Sequence, residues 1–207
     1  YTIDQAKTLE TDDLSNWQSA RKLTLDNLAQ SESLVDFPVL VTLDASVIDY
    51  SLTQDQGEDL RFYDSDGVTQ LAHEIELWDE SGVSHVWVKV PQIDGSSGSD
   101  HIWMYYGNSS AVDGQDAANV WNSDYQAVWH LNETGTPHSD STGNGHTASQ
   151  SGDVDKDAVG KIAGADSFEG NNDYLWVAGI DTALQITGDV TLDAWIWLDG
   201  YPVDETY

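Results

Sequence analysis

From Trp17 onward, apolar and polar residues alternate with period two along most of the chain. The segments Arg21–Leu25, Phe37–Leu43, Leu60–Tyr63, His73–Trp78, Ser84–Val90 and His101–Tyr106 are rich in Val, Leu, Ile and aromatics. Gly, Asp, Ser and Asn bound them, which is the pattern of short strands. Asp64-Ser65-Asp66-Gly67 and Ser81-Gly82 read as hairpin-type turns, and Gly95-Ser96-Ser97-Gly98-Ser99 as a flexible loop. Residues 1–16 are polar with only a weak helical pattern, and read as a linker or N-terminal extension.

Ser109–Asn122 is small and polar, and the domain junction is placed there. Beyond it, Gln126–Leu131, Asp166–Phe168, Asp173–Val177 and Val190–Leu198 read as further strands, with a long Gly/Asn/Ser/Asp loop over Asn132–Asp153. Many short strands at regular spacing predict an all-β chain of two β-sandwich modules, over 17–121 and 122–207. In Val190–Leu198 one face carries Val190, Leu192, Ala194, Ile196 and Leu198, and the other Trp195 and Trp197. So apolar a strand needs a neighbour on both sides, and the second module is expected to be incomplete without more protein.

Two strands of the first module are apolar or aromatic on both faces. In Ser84–Val90, His85, Trp87 and Lys89 lie opposite Val86, Val88 and Val90; in His101–Tyr106, His101, Trp103 and Tyr105 lie opposite Ile102, Met104 and Tyr106. Such strands belong at the centre of a sheet, with the second face covered by a loop or neighbouring domain. The sharper alternative is an aromatic sugar-binding platform of Trp87, Trp103 and Tyr105.

Charge changes the picture. Seven Lys+Arg against 37 Asp+Glu give a formal net charge of -30 over 207 residues. Phosphate-rich partners are excluded, because nothing here neutralises a nucleic-acid backbone or an anionic membrane surface. Nine Trp and nine Tyr separate the chain from a disordered acidic tail. Acidity of this kind suits both multivalent-cation binding and solubility in salty surroundings. No Cys is present, so disulfides, zinc-thiolate sites and thiol catalysis drop out. No run of 18 apolar residues occurs, so no transmembrane helix and no direct membrane insertion are expected of this segment.

Five motifs occur in order: Phe37-Pro38-Val39-Leu40-Val41, Asp59 through Gly67, His73-Glu74-Ile75-Glu76, Val86 through Pro91, and Trp103 through Asn108. Together they resemble the family of domain of unknown function 2341 over about Trp17 to Trp121. That resemblance implies a β-sandwich without established catalytic residues. Val128-Trp129-His130-Leu131, Asp140 through His146, Asp166-Ser167-Phe168, Gly170 through Leu175 and Val190 through Trp195 resemble a concanavalin-like, laminin-G-type sandwich. The pairing resembles that in bacterial surface adhesins, and also in the periplasmic part of ExbB/TolQ-type proton-channel proteins.

The Asp140–His146 loop offers hard oxygens on a glycine-rich backbone, as Ca²⁺ requires. Asp140 and Asn144, with Asp173 from the nearby acidic loop, are the candidate ligands; laminin-G-type modules often carry such a calcium. The competing reading is a turn-rich loop whose side chains cap their own backbone. Asp64-Ser65-Asp66-Gly67 begins like an EF-hand loop, but Ile75 stands at the twelfth position, so a plain turn is expected. The six His show no HxH or HExxH spacing and read as core or surface imidazoles. No catalytic residue is assigned, because no nucleophile has an adjacent base and no carboxylate pair is singled out.

The expected function is a non-catalytic, extracytoplasmic binding or display module of a bacterial surface protein. It is adhesin-like, calcium-supported and glycan-binding, and part of a larger polypeptide at the cell surface, outside the cell or in the periplasm. The alternatives are a structural or sensory periplasmic domain of a proton-channel complex, and an accessory domain of a polysaccharide-degrading enzyme.

Overall fold

The computed structural model describes residues 2–4, 14–170, 172–178 and 184–198. Eight strands build the first half: β1 Thr2–Asp4, β2 Ser19–Thr24, β3 Leu34–Leu43, β4 Arg61–Tyr63, β5 Gln70–Leu71, β6 His73–Leu77, β7 Ser84–Ile93 and β8 His101–Tyr106. They form two antiparallel sheets, ordered β1-β2-β8-β4-β5 and β3-β7-β6. The six strands expected before residue 107 are all present, with ends shifted by up to three residues. β1 adds a strand where a linker was expected, and pairs Thr2–Asp4 with Lys22–Thr24.

Alternation dictates how the sheets stack. Leu23 of β2, Phe62 of β4 and Ile102, Met104 and Tyr106 of β8 face Val41 and Leu43 of β3 and Val86, Val88 and Val90 of β7 in one buried core. Each such side chain contributes about 1.5–3 kcal/mol on full burial. The chain is all-β, and this half is a β-sandwich. The turn at Asp64–Gly67 joins β4 to β5: Asp66 Oδ1 accepts from the amides of Val68 and Thr69 at 2.8 and 2.9 Å.

A buried carboxylate fixes the end of the sandwich. Asp59 Oδ2 accepts from the amides of Gly107 (2.6 Å) and Asn108 (2.9 Å), and Oδ1 from that of Gln54 (2.9 Å). Gly107 sits at φ +91°, a conformation glycine adopts without strain, and so turns two successive amides toward one oxygen. The Trp17 indole donates to the Asp59 carbonyl at 2.7 Å, with the Arg61 guanidinium 5.4 Å from the Trp17 ring.

The edges of the smaller sheet are protected in different ways. Pro38 and the left-handed residue Asp36 (φ 48°) interrupt the donor pattern of β3. The segment after β8 covers β6: Asp116 N donates to the His73 carbonyl at 2.9 Å, and Ile75 N donates to Gln115 Oε1 at 2.7 Å. A single helical turn, α1 Ala117–Val120, follows, with Val120 buried.

The second half contains β9 Ala148–Ser151, β10 Asp155–Val159, β11 Gly164–Ser167 and β12 Tyr174–Val177. They pair as β9-β12 and β10-β11. Gln126–Leu131, expected as a strand, is not one. Val128 exchanges backbone and side-chain bonds with the loop at 140–141 instead of a strand neighbour, and Trp129 and His130 anchor to different partners. Val190–Leu198 likewise has no strand pairing among the described residues, and Trp195 and Trp197 are 75% and 87% exposed.

Candidate functional site

The outer face of β6 and β7 carries a buried charged cluster. Residues i and i+2 of a strand share a face, so Glu74 and Glu76 project together, and pairing sets Glu74 opposite Trp87. Both carboxylates are buried. His130, from the segment beyond α1, inserts between them: Nε2 lies 3.1 Å from Glu74 Oε2, and Nδ1 lies 2.5 Å from Glu76 Oε2.

Further donors close on the two carboxylates. Ser141 Oγ donates to Glu74 Oε1 at 2.6 Å, Trp121 Nε1 to Glu74 Oε2 at 3.1 Å, and Trp87 Nε1 to Glu76 Oε2 at 2.7 Å. Asn132 Nδ2 reaches the Glu76 carbonyl at 3.1 Å. Trp121 packs on Trp87, Tyr125 and His130 with ring centroids 5.2–5.9 Å apart. Burial alone would lower the His130 pKa, but the two glutamates outweigh it and raise the imidazole to about 9. Burial would raise the Glu74 carboxyl, yet bonds from His130, Ser141 and Trp121 hold it below its ordinary value. An imidazolium locked between two carboxylates is a poor general base at neutral pH, so the cluster acts as a clamp.

Beside the clamp lies a cleft of about 360 Å³. Trp121 and Tyr125 supply rings, Asn122, Gln126 and Asn144 amides, and Thr142 a hydroxyl. The Asp140 loop shapes this wall. Asp140 Oδ1 accepts from Val128 N (3.1 Å), Thr142 N (3.1 Å) and Thr142 Oγ1 (2.8 Å), and Oδ2 from His146 N (3.0 Å). Burial opposes ionisation of Asp140, but these donors prevail and lower its pKa. Asn144 Nδ2 donates to the carbonyls of Tyr125 (3.3 Å) and Gln126 (3.1 Å), which aims its Oδ1 elsewhere.

The three residues expected to hold calcium are therefore placed as follows. Asp140 and Asn144 share one loop and are linked through Thr142. Asp173 lies in a separate turn, where its carboxylate accepts from Asp153 N at 2.9 Å and Glu169 N at 2.8 Å. Among the described residues, no group of three or more His, Asp or Glu is placed to hold a metal ion.

The aromatic platform divides between two faces. Trp87 lies under Trp121 on the smaller sheet, bonded to Glu76. Trp103 and Tyr105 lie on the outer face of the larger sheet beside Ala20, the cross-strand neighbour of Tyr105, where Leu14 and Trp17 pack over them. The covering of both second faces by chain segments agrees with the doubly apolar strand pattern.

A second histidine hub ties the small sheets together. Buried His138 lies 3.0 Å from Glu133 on one side and 3.0 Å from Asp166 on the other. The Asp166 contact lacks hydrogen-bond alignment, and burial raises the Asp166 carboxyl.

The sequence reading did not single out the clamp. A usable signal existed: once Trp87's face is taken as covered, two glutamates sharing it require a cationic partner, and seven Lys+Arg make a histidine the natural supplier.

No curated protein and no solved structure matches the chain. Residues 56–153 match the family described as Domain of unknown function (DUF2341), a span running from the turn before β4, across the clamp and the Asp140 loop, to the end of β9.

Proposed function

We propose that the protein is a non-catalytic binding module of an extracytoplasmic bacterial surface protein, and that it takes a saccharide in the cleft at Trp121 and Tyr125. The observation that carries this reading is the composition of the cleft wall. Its aromatic rings offer a stacking surface for sugar C–H groups, and its amides and hydroxyls offer paired donors and acceptors for sugar hydroxyls. A strongly acidic, cysteine-free chain without nucleic-acid-binding charge is consistent with a surface setting.

The non-catalytic part rests on the clamp. Glu74, which accepts from the Trp121 indole of the cleft wall, and Glu76, which accepts from the Trp87 indole, are both also bonded to His130. Neither has the exposure of a glycosidase acid or nucleophile.

A neutral-oligosaccharide panel titrated by calorimetry tests the proposal. Binding to the wild type that falls about tenfold in Tyr125→Ala and in Gln126→Ala, with the melting of Gln126→Ala unchanged, is the expected result. Release of reducing ends from the panel, lost in Glu76→Gln, would overturn the non-catalytic assignment.

A further inference from the structure

Resting on that reading of the cleft, we infer that its ligand is an uncharged saccharide and that the site rejects uronate, sulfated and phosphorylated sugars. Carbohydrate sites that take anionic sugars pair the acid with Arg, Lys or a metal, because a desolvated anion needs a fixed counter-charge. Among the described residues no Lys or Arg lines the wall of this cleft: Asn122, Ser123, Gln126, Asn144 and Thr142 are neutral, and the one imidazole there, His146, is buried.

The surroundings push in the same direction. Burial first, then the nearby carboxylates of Asp193 and Asp124, raise the Tyr125 hydroxyl pKa, so this ring of the cleft wall sits in a negative field. Asp140 stands behind the same wall, ionised and held by four donors. A formal net charge of -30 adds long-range repulsion of any anion.

The neutral groups are oriented for hydroxyl recognition. Both Asn144 amide hydrogens donate to backbone carbonyls of the segment it faces, so no bond among the described residues engages its Oδ1. An amide oxygen in that setting accepts from a sugar hydroxyl but repels a carboxylate. Gln126 Nε2 makes only a long bond, 3.4 Å to the Ser123 carbonyl, and so retains donor capacity. Selectivity of this site is thus set by missing positive charge as much as by contacts present.

The test uses length-matched oligosaccharides of three kinds, neutral, uronate and glucosamine, titrated into the full chain at about 50 mM and about 0.5 M salt. Neutral oligomers should bind with an affinity that salt leaves within about twofold and that Tyr125→Ala weakens about tenfold. Uronate oligomers should bind at least about tenfold more weakly at low salt, with the gap narrowing at high salt as screening relieves repulsion. Glucosamine oligomers should bind across the acidic surface in a salt-sensitive way that Tyr125→Ala does not alter. Uronates binding as tightly as neutral sugars at low salt, with loss in Tyr125→Ala, would overturn the charge selectivity and leave the cleft assignment standing. Failure of all three classes to sense Tyr125→Ala would overturn both.

Discussion

Glu74 and His130 are 56 positions apart in the chain and 3.1 Å apart in the fold. That contact, with its twin to Glu76, pins the segment beyond α1 onto the sandwich. The folded imidazole has its pKa raised to about 9 from an ordinary 6.5, so the folded state binds the proton more tightly than the unfolded chain. The clamp's stabilisation is therefore fully present below about pH 6.5 and is lost as pH rises through about 9, with a ceiling of about 3 kcal/mol. Denaturant melts between pH 6 and pH 10 should show this decline, and His130→Gln should remove it. A pH-independent wild-type profile over that window would contradict the geometry. Glu74→Gln and His130→Gln combined should cost less than the sum of the single changes, because the pair shares one interaction.

The all-β architecture, the central position of β7 and β8 and the turn at Asp64–Gly67 were legible from alternation, because half-buried antiparallel strands write their faces into every second residue. The same signal misread Gln126–Leu131. There Trp129 bonds the His146 carbonyl at 2.7 Å while His130 turns into the clamp, so alternation arose from two anchors on opposite sides and not from a pleated strand. The clamp itself was hidden because Glu74 and Glu76 look like an ordinary solvated face until a partner 56 residues away is placed upon them. The cleft was only half visible: Asn144 was singled out as an oxygen donor, but Trp121 lay in the stretch read as a junction and Tyr125 just before the expected strand Gln126–Leu131.

His73 is the opposite case to His130. It is buried in the sandwich against Phe62, with ring centroids 5.1 Å apart, and neither ring nitrogen has a hydrogen-bond partner among the described residues. Burial, reinforced by the Arg61 charge, lowers its pKa from 6.5 to about 4. The unfolded chain takes up a proton first, so stability falls as pH drops from about 6.5 toward about 4, by up to about 3 kcal/mol. His73→Phe fills a similar volume without polar atoms, and should flatten that acid limb in thermal melts. A steeper acid limb in the variant would show that His73 is not the group responsible.

Asp140 is the point where calcium binding and loop capping predict different results. Its carboxylate accepts four hydrogen bonds that close the loop from Val128 to His146. As a cap it makes a contribution independent of metal, and Asp140→Ala should lose about 2 kcal/mol equally in EDTA and in millimolar Ca²⁺. As a ligand it would make the wild type melt higher in Ca²⁺, by mass action on the folded state, and the variant would lose that increment. Parallel calorimetry on both proteins separates the two outcomes, and Asp173→Ala serves as control because its carboxylate caps a different turn.

The segment Val190–Leu198 provides the last prediction. Leu192, Trp195, Ile196 and Trp197 are each at least three-quarters exposed, and the segment has no strand partner among the described residues. Lys161 reaches this segment, its Nζ 5.8 Å from the Trp195 ring, an interaction worth about 0.5–1 kcal/mol at an exposed site. So much apolar surface on one extended stretch favours association once repulsion is screened. At low salt the net charge of -30 holds copies of this chain apart. Raising salt to about 0.5 M shortens the screening length to a few ångströms and should promote self-association, visible as concentration-dependent sedimentation. Trp195→Ser with Trp197→Ser should suppress that association and reduce the acrylamide-accessible share of tryptophan emission, while the melting transition of the sandwich stays where it was. Association that persists unchanged in the double variant would place the sticky surface elsewhere.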